Sequence, residues 1–158
     1  MAVGKSGRKK AETEMIDVSE KKEVQRVAVA RGHITLSEKS LMAIREGSGK
    51  KGDVLTVSEI AGIAAAKRTS ETIPLCHQIP LDQVHVHLDT DRDGITAECR
   101  VSAFWKTGVE MEALCGVTAS LLTVWDMVKS MEKDEAGQYP FTRIDNVVVV
   151  SKMKGELN

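Results

Sequence analysis

Residues 83–105 read QVHVHLDTDRDGITAECRVSAFW. QVHVHLDT alternates apolar and polar side chains, the period of a half-buried strand, and GITAECRVSAFW resumes an extended pattern after the polar turn TDRDG. Two such runs joined by so short a turn predict an antiparallel hairpin. His85 and His87, at i and i+2, fall on one face of it.

Upstream of the hairpin, IAGIAAAKRTSE continues a helix opened by Asp53, or by Thr56 with Glu59 as a capping box, and closed before Pro74. Its face of Ala61, Gly62, Ala64, Ala65 and Ala66 is nearly bare, which permits close approach by another element. Further upstream, Ser37 caps a short helix whose apolar side is Leu41, Met42 and Ile44, with Gly47 ending it. Before that, EVQRVAVARGHIT (23–35) alternates as a strand. Downstream, a helix from about Gly108 to Met131 places Leu114, Val117, Leu121, Val124 and Val128 at helical spacing beside a small-residue patch of Ala113, Cys115, Gly116, Ala119 and Ser120. The two small faces suggest packing of these helices on each other or across a subunit boundary. The last strand, TRIDNVVVVSKMKG, has four consecutive valines, which predicts burial on both faces. This order of elements gives an α+β fold, ferredoxin-like, with a four-stranded, mostly antiparallel sheet packed against helices.

The chain has 158 residues, enough for one compact domain over 15–158, with a polar, basic tail at 1–14. Basic and acidic residues nearly balance, 22 against 23, which excludes a nucleic-acid coat and requires that an anionic ligand meet a local cluster of cations. Aromatic residues are 3%, too few for a base-stacking platform. With no run of about 20 apolar residues and no apolar leader, a cytoplasmic protein without membrane contact is expected. Three cysteines, Cys76, Cys99 and Cys115, fit reduced thiols better than a disulfide framework.

IPLCHQIP (73–80) sets Cys76 and His77 side by side between prolines. A metal set drawn from Cys76, His77, His85 and His87 lacks any recognised ligand spacing, so a solvated hairpin face is the better reading for the histidines. Adjacent residues in an extended segment point apart, which disfavours a Cys/His nucleophilic couple and leaves Cys76 packed and His77 turned toward a site. Lys51 precedes a helix start, where an anion is favoured, although Asp53 can satisfy the same amides as a cap. Lys67 sits at the end of that helix. Asp126 and Lys129, at i and i+3, share a helix face as either a surface ion pair or a tuned acid–base couple. Glu110 and Glu112 suit the positive end of the same helix. Glu112 and Asp126 stand about 21 Å apart along it, as do Asp53 and Lys67 along theirs. A small pocket serving all of them needs a long ligand or two subunits.

The segments KGDV, IAGIAAAKRT, IPLCH, KTGVEMEAL and TVWDMVKSMEKD, in this order over residues 51–134, closely resemble the molybdenum cofactor biosynthesis protein C family, the cyclic pyranopterin monophosphate synthases. The likeness extends back through MIDVSEKKEVQRVAVARG. It implies a cytoplasmic lyase that converts 3′,8-cyclo-7,8-dihydro-GTP to cyclic pyranopterin monophosphate and releases diphosphate. It also implies a ferredoxin-like fold and a hexamer built from dimers, with active sites at subunit interfaces. Carried over by motif, Asp126 and Lys129 are catalytic and Lys51 is an active-site lysine. Leu75, Cys76, His77, Met111 and Glu112 fall on substrate-binding segments, and Lys67, Arg26 and Glu110 join them. Gln78 departs from the proline frequent at that place in the family. No cofactor is required, and Mg²⁺ accompanying the triphosphate is an open expectation.

Overall fold

The structure, a computed structural model, describes residues 12–49 and 51–155. Most of the tail expected over 1–14 therefore lies outside the described residues. In chain order the elements are β1 (Val24–Thr35), α1 (Glu38–Arg45), α2 (Val54–Ala66), α3 (Thr69–Thr72), β2 (Gln83–Thr90), β3 (Gly94–Trp105), α4 (Glu110–Glu132) and β4 (Arg143–Lys154). The sheet runs β2-β3-β1-β4, and each neighbouring pair is antiparallel. This is the ferredoxin-like α+β arrangement expected from the hairpin and its flanking elements.

Alternation decides which sheet face is covered. Ala28, Ala30 and Ile34 of β1, Ile95, Ala97, Cys99, Val101 and Ala103 of β3, and Val86 and Leu88 of β2 form one core with Ala113, Val117, Leu121, Val124 and Val128 of α4. Helix α4 crosses β1 at Gly32, where an added Cβ would lie 2.8 Å from Val117 Cγ1 and 2.9 Å from Leu121 Cδ1. Helix α4 is long and apolar enough to cross a membrane, but half of its apolar stretch is buried within the fold.

The small faces of α2 and α4 pack on each other within the chain. A Cβ on Gly62 would fall 2.2 Å from Ser120 Oγ and 2.9 Å from the Gly116 carbonyl oxygen. Asp53, the first of the two expected caps, opens α2 by accepting from the Thr56 N–H at 2.8 Å. The helix stops at Ala66, earlier than expected, because the Thr69 hydroxyl donates to the Ala66 carbonyl and Arg68 leaves helical geometry; α3 follows as a separate turn. Ser37 caps α1, with Leu41 buried and Met42 exposed, so Met42 is not part of the apolar side.

The valine run corrects another expectation. Val147 to Val150 are 37–52% exposed, because β4 is an edge strand and the sheet face away from α4 has no covering element among the described residues. Four consecutive valines here mark an exposed apolar strip on an edge strand, while Phe104 and Phe141 are exposed towards opposite ends of the sheet.

Candidate active site

The sequence-derived candidates collect at opposite ends of the α2/α4 pair. At one end Lys51, just before α2, reaches the late part of α4. Its Nζ donates to Asp126 Oδ2 at 2.6 Å and to the Asp126 carbonyl at 3.1 Å, and Lys129 Nζ donates to Asp126 Oδ1 at 2.7 Å. The hydrogen bond from Lys129, then that from Lys51, pulls the Asp126 carboxyl down to about 2. The same contact holds Lys129 above the ordinary amine value, so it stands as a firmly protonated ammonium. All three side chains are about half exposed. One carboxylate thus aligns two cations toward solvent, a net positive corner suited to phosphate oxygens or to proton donation.

One turn beyond Lys129, Glu132 fixes that end of the helix. Its carboxylate accepts from the Ser37 N–H and hydroxyl and from the hydroxyls of Ser40 and Thr142. Burial pushes its carboxyl up, but the hydrogen bonds from Ser40, Thr142 and Ser37 outweigh burial and hold it below the ordinary value. The sequence reading missed this residue, because its partners are distant in the chain.

At the other end lies a cavity of about 830 Å³, bordered by Leu75, Cys76, His77, Met111, Glu110 and Glu112. Lys21 and Lys152 also border it, cations that no local pattern had singled out. His77 Nε2 donates to the Ile16 carbonyl at 2.7 Å, leaving Nδ1 for a ligand. Cys76 and His77 do not point apart as expected for an extended segment: a turn closed by the Cys76 N–H on the Ile73 carbonyl brings both to the cavity border, Cys76 half-buried and not packed away, so the segment between Pro74 and Pro80 acts as its wall. Burial, with the charge of Glu112 and the thiol of Cys115, pushes the Cys76 thiol up, which makes it a poor nucleophile.

The Glu110 carboxylate folds back over Gly108, where a Cβ would stand 2.0 Å from its Oε2, and accepts from Lys152 at 3.0 Å. Burial pushes Glu110 up, but the Lys152 hydrogen bond and its own backbone N–H bring it below the ordinary value. Glu112 is 3% exposed; burial drives its carboxyl up to about 7 against its own backbone N–H, and the charge of Glu110 adds to the rise. Arg26 donates to the carbonyls of Trp105 and Lys106 and borders a smaller hollow beside the Glu110–Lys152 pair. Lys67 caps the end of α2 and borders a third hollow that shares Ile79 with the main cavity.

Within one chain, then, Leu75, Cys76, His77, Met111, Glu110 and Glu112 come together, with Arg26 and Lys67 at the margins. Lys51, Asp126 and Lys129 form a separate cluster at the far end of α4. His85 and His87 stack, and His87 faces Asp89 at 3.1 Å and Glu59 at 3.8 Å. Among the described residues, His33, Asp91 and Asp93 bring ligand atoms within 4.8 Å of one another, a different set from the one weighed in the sequence.

An antiparallel sheet under two helices, with a lysine–carboxylate corner at one end and a cavity bordered by acidic and basic side chains at the other, defines a ferredoxin-like α+β protein. Residues 15–155 match the MoaC family, and the chain belongs to it. A protein of Thermococcus onnurineus named probable cyclic pyranopterin monophosphate synthase is 55% identical over 142 residues, which span 90% of this chain and 91% of the relative. One of Methanocorpusculum labreanum with the same name is 51% identical over 144 residues, 91% of each chain. A Methanothermobacter thermautotrophicus relative, 54% identical over 143 residues and 90% of each chain, is named probable cyclic pyranopterin monophosphate synthase accessory protein.

Proposed function

We propose that this chain is a cyclic pyranopterin monophosphate synthase, a lyase of molybdenum cofactor biosynthesis that converts 3′,8-cyclo-7,8-dihydro-GTP to cyclic pyranopterin monophosphate and diphosphate. The observation that carries this reading is the family match over residues 15–155, with IPLCH and VEMEA folded onto one cavity wall. A triphosphate needs several cations, and His77, Lys21 and Lys152 border the cavity in a chain whose net charge is only −1. Glu112 meets the N–H groups of the base portion. A sugar-derived hydroxyl attacks the α-phosphorus, the bond to diphosphate breaks, and diphosphate leaves. Lys129, held as an ammonium by Asp126, acts as general acid/base: it donates its proton in one step of ring opening and closure and regains it as the amine in the other. Mg²⁺ travels with the triphosphate as part of the substrate, and the enzyme works in the cytoplasm.

Turnover joins the two clusters only if a second copy brings its Lys51–Asp126–Lys129 corner to this chain's cavity. Self-association to a dimer and hexamer supplies that contact, and the bare valine strip supplies apolar surface for it: Val149 and Val150 border the cavity itself. Incubation with the cyclised dihydro-GTP tests the activity through diphosphate and pterin release. Lys129→Ala retaining full turnover sinks the assignment of its role. Mixing Lys129→Ala with His77→Ala chains, each first assayed alone for its residual turnover, tests the sharing. Recovered turnover supports it, and none in exchanged oligomers refutes it.

A further inference from the structure

Glu112 is the most deeply buried carboxylate among the described residues, and it has no cationic partner there. The titratable groups around it are Cys76 and His77 of the wall segment, Glu110 at the start of α4, and Glu14, Lys21 and Lys152 on the cavity border, with Cys115 one turn further along α4 beside Cys76. Glu110, a second carboxylate, works against a negative charge on Glu112, and the neutral thiols supply no compensating cation. Lys152 is already engaged by Glu110. Burial strongly disfavours an uncompensated carboxylate, and amides at the helix start offset only part of that. Two carboxyls two positions apart therefore divide the work, Glu110 ionised on its lysine and Glu112 holding a proton, which agrees with the opposite directions of their shifts.

We propose that Glu112 waits in the cavity as a neutral carboxylic acid, and that docking of a ligand edge bearing two N–H donors expels its proton to solvent, making binding and deprotonation one linked event. The donors take the place of the missing cation, because two N–H groups bond a carboxylate more strongly than a carboxylic acid. The balance is Glu112–COOH plus ligand giving Glu112–COO⁻ hydrogen-bonded to the ligand, and one proton released. The ligand prefers the ionised form, so binding strengthens as pH rises and levels off above about pH 7. Below that, each pH unit weakens it by up to about tenfold. This rests on the synthase reading only for the identity of the ligand.

Carbon-13 NMR of glutamate-labelled protein without ligand tests the resting proton. One side-chain carboxyl is expected to titrate near pH 7 and to vanish in Glu112→Gln. If no glutamate titrates there in the wild-type protein, the proposal falls, whether or not the variant folds; a cation brought by a second copy would produce that result. Rapid mixing with the cyclised dihydro-GTP, in weak buffer at about pH 6, then tests the linkage. Close to one proton per site is expected before diphosphate appears, and none in Glu112→Gln. Equal release from both proteins overturns the linkage. A titration near 7 with no turnover of this substrate instead condemns the synthase reading and leaves the resting proton standing.

Discussion

Replacing Glu132 by alanine removes the acceptor on which the start of α1, the end of α4 and the approach to β4 converge. Ser40 is fully buried and Thr142 is 6% exposed, so solvent does not simply take the carboxylate's place. Hydrogen bonds to a charged group contribute about 1.5–3 kcal/mol each, and a buried donor left unmet costs about 1–3 kcal/mol. Four donors would sum higher, but hydroxyls rotate and water enters the space left behind, so the expected loss is about 3–5 kcal/mol, a large share of a typical domain's stability. Glu132→Gln keeps one acceptor oxygen and turns an NH₂ toward donors, so it is expected to lose about half as much. Urea unfolding of the parent and both variants measures this. The pH dependence has a definite sign. The folded carboxyl lies below its ordinary value, so its stabilisation is complete above the unfolded value and is lost as pH falls through the folded one. In Glu132→Gln that acid limb flattens. A Glu132→Ala protein within about 1 kcal/mol of the parent at neutral pH would refute the assignment of this residue as the joint of three elements.

At the contact between the long helices, Gly62→Ala gains about 1 kcal/mol of helix propensity but drives its Cβ into Ser120 Oγ and the Gly116 carbonyl, an overpacking cost of about 1–3 kcal/mol. Net destabilisation in urea is expected, with partial recovery on adding Ser120→Ala; a more stable Gly62→Ala would show that the helices separate freely. Steady-state assays of Cys76→Ser should show near-parental kcat, while His77→Ala loses at least about tenfold in kcat/KM; the reverse order would restore the thiol as nucleophile. Asp126→Asn releases both Lys51 and Lys129, so kcat is expected to fall about a hundredfold or more while the urea midpoint stays put, the cluster being exposed. Parental kcat would detach the lysine corner from the chemistry.

The hairpin over 83–105 was legible because its signal is local: period-2 alternation on both sides of a turn. The caps Ser37 and Asp53 and the small faces around Gly62 and Gly116 were legible for the same reason. The valine run was not, since periodicity reports how apolar a segment is but not which body covers it. At the site, IPLCH and VEMEA carried Leu75 to His77 and Met111–Glu112 to one wall. Lys21 and Lys152 stayed hidden because each joins the cavity through pairings across the sheet or along a loop. Helix rise alone placed Glu112 and Asp126 about 21 Å apart, and the structure keeps their clusters at opposite ends of the helix.

The order of strands in the sheet also sets an order in time. Among the described strands β4 pairs only with β1, so the first of these four waits for the last before one of its two edges is closed. Until then β1 exposes a row of free peptide groups, the kind of edge on which neighbouring nascent chains aggregate. The valine strip that would receive a sister subunit sits on that same late strand. Its arrival therefore seals that inner edge and presents the exposed valines in one step, so a subunit contact of the kind proposed above could form only after the sheet is complete.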